Sequence, residues 1–131
     1  MFTNRKMRWV SAIAFLVFIF VAVACRELLA SSFVSNPIPS SAQSIARGKQ
    51  LFEQHCQACH GAEGRGDGPA VTTLTKRPDD LTRISPPPLF PDGVVAYRIA
   101  NGGDMMPAWK TAFSENQIWD LINFIRSKHR D

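Results

Sequence analysis

The sequence predicts an all-α fold of three to four short helices joined by long loops. Two segments carry apolar residues at helical spacing: the first contains Ile45, Leu51 and Phe52, and the second spans residues 118–125. Between them the chain is rich in glycine and proline and offers no convincing strand. So few helical residues bury too little apolar surface to stabilise a domain of about ninety residues. The sequence therefore predicts that a further group completes the core.

Residues 1–25 are predicted to be a signal or membrane-anchor segment. Basic residues without an acid open it, and an uncharged run of sixteen residues, Trp9–Ala24, follows. This run is shorter than the roughly 20 residues that span a bilayer comfortably, so its length does not separate a leader from an anchor. Ala22 and Cys25 resemble a lipoprotein cleavage site, although leucine usually stands at the position of Ala22. Simple cleavage, lipidation of Cys25 and an uncleaved anchor stay open, and all three export the domain.

Residues 26–43 are predicted to be a flexible linker, because they are rich in serine, proline and asparagine and have no sustained apolar period. Residues 44–131 form the predicted folded domain. A helix opens it, a shorter helix runs from Gly93 to about Ala100, and a third helix begins at the capping box of Ser114 and Gln117.

The charge of the chain gives no indication of nucleic-acid binding. The formal net charge is +4, but three of the fifteen Lys and Arg residues lie in the leader. After Cys25, twelve basic residues face eleven acidic ones, and the two signs are interspersed. We therefore expect no nucleic-acid partner.

The motif C-x-x-C-H occurs once, with Cys56, Cys59 and His60 at its defining positions, and this motif is the attachment signature of c-type haem. Cysteines three residues apart project from one side of a helical turn, so both thiols can bond the two vinyl groups on one haem edge. The adjacent His60 then lies under the porphyrin as the proximal iron ligand.

Two other uses of a C-x-x-C pair fit the sequence less well. A thioredoxin-like dithiol needs a βαβ setting, which the sequence does not predict. A zinc site needs four ligands, and the nearby candidate His55 lies on the wrong side of the turn. One covalently bound haem c is therefore the predicted cofactor.

A second axial ligand is predicted downstream, where Met105 and Met106 precede Pro107. Thioether sulfur is a soft ligand, and histidine–methionine ligation raises the redox potential of haem iron. A ligand on each side of the iron also leaves no open position for a substrate.

Residues 44–131 resemble the class I cytochromes c, with Gly48 and Phe52 at the positions of that family's glycine and aromatic residue before the haem cysteines. The resemblance implies a class I cytochrome c fold wrapped around the haem, with this pair packed against Leu121 and Phe124. It implies Met106 as the distal ligand, since the family's methionine precedes a proline. It further implies a loop-proline carbonyl that orients the proximal histidine, and Pro69 is the candidate.

The predicted function is single-electron transfer rather than catalysis, by a carrier on the periplasmic side of a bacterial cytoplasmic membrane. Its expected partners are membrane redox complexes or soluble electron carriers, and its N-terminal segment or a lipid holds it at the membrane. The alternatives are a ligand-binding haem sensor or peroxidase-like protein with a displaceable methionine, and a structural subunit whose haem relays electrons within a fixed complex.

Overall fold

The computed structural model describes residues 3–32 and 34–129. In these residues it contains five α-helices, which we number α1 to α5, and short 3-10 turns at Pro69–Thr73 and Leu81–Arg83. Strands are absent from the same residues apart from one isolated bridge between Gly103 and Met106. The helices are α1 Thr3–Ser32, α2 Ala42–His55, α3 Gln57–His60, α4 Asp92–Asn101 and α5 Glu115–Ser127.

The chain divides after Ser32 into two units, the first of which consists of helix α1. Apolar side chains on all sides of this helix between Trp9 and Val23 are exposed. Within the described part of the chain, no helix combines the length and the apolar character needed to span a membrane. Helix α1 continues past Cys25 to Ser32, so residues 26–32 are helical rather than the predicted flexible linker. Met1 and Phe2, the first residues of the predicted leader, lie outside the described part of the chain.

In the second unit, helices α2 and α5 form the main packing contact. Gly48 lies directly against the backbone of α5: a Cβ at this position would overlap the carbonyl oxygen of Asp120 and the Cβ of Phe124. One helical turn later, the rings of Phe52 and Phe124 lie 5.2 Å apart. Leu121 belongs to the same buried cluster. The predicted packing of Gly48 and Phe52 against the last helix is thus confirmed, and close backbone approach explains the glycine.

The two principal helices begin with side-chain caps. Ser114 accepts from the backbone N–H of Gln117, whose side chain in turn accepts from the backbone N–H of Ser114, so the predicted capping box is confirmed. Helix α2 begins at Ala42, two positions before the predicted start of the domain at Ser44, because the Ser41 hydroxyl accepts from the Ser44 amide.

A polar network joins helix α2 and the segment before it to helix α5. The Ser44 hydroxyl donates to Asp120 at 2.6 Å, and the Arg47 guanidinium donates to both oxygens of the same carboxylate at 2.7 and 2.8 Å. The Asn123 amide donates to Ser44 at 2.8 Å and receives a hydrogen bond from Asn36 at 2.9 Å. Every one of these polar side chains gains a partner that offsets the loss of its hydration.

This network corrects the predicted linker for residues 34–43. Asn36 also donates to the Trp119 carbonyl, the Ile38 carbonyl accepts from Asn123, and Ile38 packs against the core. These residues were expected to be mobile because they lack an apolar period. They are instead folded through polar side chains that bond partners more than 80 positions away.

Asp120 is predicted to make the folded state sensitive to acid. Burial by itself raises the pKa of this carboxyl, but the hydrogen bonds from Arg47 and Ser44 and the Arg47 charge outweigh it, so the pKa falls below 3.8. When the pKa of a carboxyl is lower in the folded state than in the unfolded state, its ionised form stabilises the folded state. This contribution is fully present at pH values above the pKa of the unfolded state. This contribution is lost as the pH falls through the lower folded value.

We expect the free energy of unfolding of the Asp120→Asn variant at pH 7 to be about 1.5–3 kcal/mol lower than that of wild type, which is what hydrogen bonds to a charged group contribute. The difference in unfolding free energy between the variant and wild type should become smaller below about pH 4. Urea unfolding at several pH values measures it, with Glu115→Gln at the exposed start of α5 as the control. A gap that is constant from pH 7 to pH 3 would contradict the assignment of the effect to the ionised carboxylate.

The Arg126 side chain of helix α5 forms hydrogen bonds to helix α4 and to the proline-rich segment before it. The Arg126 guanidinium donates to the Asp92 carboxylate at 2.9 Å, to the Ser85 carbonyl at 2.7 Å and to the Phe90 carbonyl at 2.5 Å. Helix α4 spans Asp92–Asn101, close to the predicted residues 93–100, and ends where Gly102 adopts a φ of 68°.

Candidate functional site

The C-x-x-C-H residues lie on one compact turn, with Cys56 between helices α2 and α3 and with Cys59 and His60 in α3. Helix α2 ends at His55, and the carbonyl of Cys56 accepts hydrogen bonds from the amides of Cys59 at 3.1 Å and His60 at 2.9 Å. Both cysteines are free thiols and half-buried. The turn therefore presents two thiols and an imidazole within five consecutive residues, as the sequence predicts.

The environment of Cys56 does not suit a redox-active dithiol. Burial, and to a smaller extent the neighbouring Cys59, raise the pKa of the Cys56 thiol to about 11. Reactive C-x-x-C cysteines have a lowered pKa, because the thiolate is the nucleophile. The described residues also contain no group of three or more His, Cys, Asp and Glu side chains placed to hold a metal ion. The raised pKa of Cys56 weighs against the dithiol alternative.

His60 is half-buried, and its Nδ1 atom is fully buried without a hydrogen-bond partner. Burial lowers the pKa of the His60 imidazole, while the backbone and the charge of Asp79 act in the opposite direction. The ring is therefore neutral at pH 7, and a neutral imidazole is the form that binds a metal. A haem attached at this turn requires two thiols for its vinyl groups and an unpaired ring nitrogen for its iron. Cys56, Cys59 and His60 provide these groups, so the residues present fit haem.

No hydrogen bond joins His60 to the Pro69 carbonyl among the described residues, so the predicted contact is not present. Pro69 begins a 3-10 turn, and its carbonyl accepts from the Thr72 hydroxyl at 3.4 Å. The backbone group that acts on His60 belongs to Asp79 instead. The glycine loop after His60 brings this later segment close, because Arg77 donates to the Gly66 carbonyl at 2.8 Å.

The two candidate methionines differ in environment. Met106 is half-buried and packs against the core, whereas 50% of the Met105 surface is exposed. The Met106 carbonyl accepts from the Gly103 amide at 3.0 Å, and its own amide donates back at 2.8 Å, which fixes the loop in a tight turn. Of the two, Met106 is the methionine that faces the interior.

The C-x-x-C-H turn and the methionine loop border the same apolar cluster. Cys56 and Met106 both pack against it, and the ring of Phe52, a member of the cluster, lies 6.5 Å from the ring of His60. The fold thus brings residues that are about fifty positions apart in sequence to one core.

An aromatic cluster beside this site was not predicted from the sequence. The edge of the His55 ring meets the rings of Trp109 at 5.4 Å and Phe113 at 5.2 Å, and the latter two rings stack at 4.8 Å. Trp109 and Phe113 are four residues apart, a spacing that signals ring contact only where the backbone makes a helical turn. Here the amide of Phe113 bonds the carbonyl of Trp109 at 2.8 Å outside any assigned helix.

Comparison with known proteins identifies one family over most of the chain. The family described as cytochrome c oxidase, cbb3-type, subunit III matches residues 43–125. This range includes the C-x-x-C-H turn, the glycine loop, helix α4, the methionine loop and nearly all of helix α5.

Cytochromes c6 are similar to the same part of the chain. The protein from Tetradesmus obliquus is 30% identical over 86 residues, which cover 62% of this chain and 86% of that protein. The protein from Picosynechococcus is 30% identical over 93 residues, covering 66% of this chain and 75% of that protein. The protein from Alaria esculenta is 27% identical, covering 62% and 87% respectively.

Two solved structures share the fold. A chain of the reducing HAO-like protein complex of Kuenenia stuttgartiensis aligns with a TM-score of 0.63 and 28% identity over 72% of this chain, which spans 47% of that protein's length. A c-type cytochrome aligns with a TM-score of 0.53 and 23% identity, covering 63% of this chain and 98% of the other, which shows the fold alone. The predicted helical cytochrome c fold is thereby confirmed.

Proposed function

Since the chain belongs to the c-type cytochromes, in the family of cytochrome c oxidase, cbb3-type, subunit III, we propose that it carries single electrons between redox partners outside the cytoplasm. It binds haem c covalently, and its single C-x-x-C-H motif provides for one haem. Bound haem iron supplies the one-electron couple between the ferric and ferrous states. The observation that carries the proposal is the neutral imidazole of His60 on that motif, whose buried Nδ1 has no hydrogen-bond partner.

Four side chains hold the cofactor in this proposal. Cys56 and Cys59 form the two thioether bonds, for which the turn presents both thiols together. His60 is the proximal ligand, and its burial keeps it unprotonated and available. Met106 is the distal ligand, and its inward orientation, in contrast to exposed Met105, supports this choice.

Occupation of both axial positions favours a carrier over an enzyme, because no open position remains for a substrate. The surrounding side chains also favour electron transfer. Phe52 and other apolar residues of the core exclude water from the site, which limits the rearrangement that accompanies a change of charge.

The N-terminal helix supports a membrane-held carrier. Its uncharged segment, residues 9–24, exposes apolar side chains around its circumference, which a lipid environment or a leader-processing site would accept. We place the domain at the outer face of a bacterial cytoplasmic membrane, with membrane redox complexes or soluble electron carriers as partners. A tether would raise the local concentration of such partners and replace a search in bulk solution.

Redox titration of the purified protein, followed by haem absorbance, tests the carrier function. We expect a single reversible transition with a slope of one electron, and no binding of carbon monoxide by the native ferrous protein, because Met106 occupies the distal position. Carbon monoxide binding by the untreated ferrous protein would instead support the sensor or peroxidase-like alternative. A Met106→Ala variant, in which carbon monoxide should bind, is the positive control.

A further inference from the structure

His55 occupies a position that the haem site leaves unexplained. It is the last residue of helix α2, its side chain is exposed, and it directly precedes the first haem cysteine. Its ring makes T-shaped contacts with the rings of Trp109 and Phe113, with centroid distances of 5.4 and 5.2 Å. Edge-to-face pairs at such distances stabilise a structure beyond the area that they bury.

Trp109 links this cluster to the methionine loop. It follows Met106 by three residues, and its amide donates to the carbonyls of Ile99 at 3.2 Å and Ala100 at 3.1 Å at the end of helix α4. At the other end of the loop, a side chain on Gly102 would overlap the backbone of Met106 and Pro107. The methionine loop is therefore held at both ends, by the close approach at Gly102 and by the contacts of Trp109.

We propose that His55 is a positioning residue that holds the Met106 loop against the haem-attachment turn through Trp109 and Phe113. The proposal rests on the proposed function, in which Met106 is the distal ligand. Because His55 directly precedes Cys56, its ring contacts with Trp109 and Phe113 join the haem-attachment turn to the segment after the Met106 loop. The Met106 loop is thereby tied to the side of the domain that carries Cys56, and the tie opposes displacement of the methionine by outside ligands.

A helix-end charge would be the purely structural role of His55. A basic side chain in the last turn stabilises a helix through its charge alone. Phenylalanine at position 55 removes the basic group and keeps a ring for both edge-to-face contacts. Alanine removes the basic group and the ring. The pair of variants therefore separates positioning through the rings from an electrostatic contribution to α2.

The test is titration of the oxidised full-length holoprotein with imidazole, which displaces a methionine ligand and abolishes the methionine–iron absorbance band. For His55→Ala we expect imidazole to bind on the order of tenfold more tightly than in wild type, because both ring contacts are lost. His55→Phe should remain within about twofold of wild type. Gln54→Ala, an exposed neighbour in the same turn, is the matched control. Haem content, measured by the pyridine haemochrome, should be equal in all four proteins.

Amide hydrogen exchange gives a second measurement on the same samples. In His55→Ala, the amides of Met106 and Trp109 should exchange on the order of tenfold faster, while those of helix α5 stay unchanged. Equal imidazole affinity and equal exchange in wild type and His55→Ala would overturn the inference while leaving the proposed function intact. A wild-type protein without the methionine–iron band would overturn the proposed ligation itself, and the inference with it.

Discussion

The Gly48→Ala variant should unfold with about 2–3 kcal/mol less free energy than the wild-type protein, although alanine is the better helix former by about 1 kcal/mol. The added methyl group overlaps the carbonyl oxygen of Asp120 and the Cβ of Phe124, and neither is the flexible end of a side chain. Helices α2 and α5 must therefore move apart. This separation weakens the contact between Phe52 and Phe124 at the centre of the core.

Denaturant unfolding of the holoprotein measures this effect, and Ala46→Gly is the matched control. Ala46 lies on the exposed side of the same helix, so its replacement should cost only the helix propensity, about 1 kcal/mol. Propensity alone predicts opposite signs for the two substitutions, since one adds and the other removes a methyl group. The structure predicts that both destabilise. A Gly48→Ala protein as stable as wild type would show that the two backbones are not in contact.

The Met106→Ala variant should lose the methionine–iron absorbance band of the oxidised protein, and its redox potential should fall by on the order of 0.1–0.3 V. Thioether ligation favours ferrous iron, so its removal favours the ferric state. Met105→Ala is the matched control, because half of the surface of that side chain is exposed and its loss should leave both quantities nearly unchanged. Loss of the band in Met105→Ala, with retention in Met106→Ala, would reverse the ligand assignment.

The sequence predicted the helices that carry their own local signals. Helix α5 has an apolar stripe and a capping box within its first turn, and Gly102 marks the end of α4. The C-x-x-C-H turn could also be recognised from the sequence, because its chemistry is contained in five consecutive residues. For these elements the interactions that form the structure are between residues near in sequence, which is why pattern reasoning succeeds.

The features that the sequence did not reveal depend on contacts between distant residues. Asn36 appeared to belong to a flexible linker, because no local pattern indicates its hydrogen bonds to Trp119 and Asn123. The residue whose backbone acts on His60 was expected to be Pro69 and is Asp79, since the path of the glycine loop decides which segment comes close. Hydrogen bonds between residues that are far apart in the chain produce no periodic pattern in a single sequence.

The aromatic cluster of His55, Trp109 and Phe113 has the same origin. His55 was considered only as a metal ligand and rejected, because the sequence places it on the far side of the turn from the cysteines. That position is what lets its ring reach the residues after the methionine loop. In the proposed arrangement, the side of the turn opposite the cysteines thus holds the segment that contains Met106.

The covalent link between haem and the thiols of Cys56 and Cys59 is the claim on which the remaining arguments depend. Mass spectrometry of the peptide that contains residues 56–60 tests it most directly, on full-length protein made in a host able to attach haem. We expect the peptide to carry one haem, held through both sulfurs and stable to acidified organic solvent, with no haem on the peptide that contains Cys25. Recovery of a colourless protein with both thiols unmodified would contradict the account.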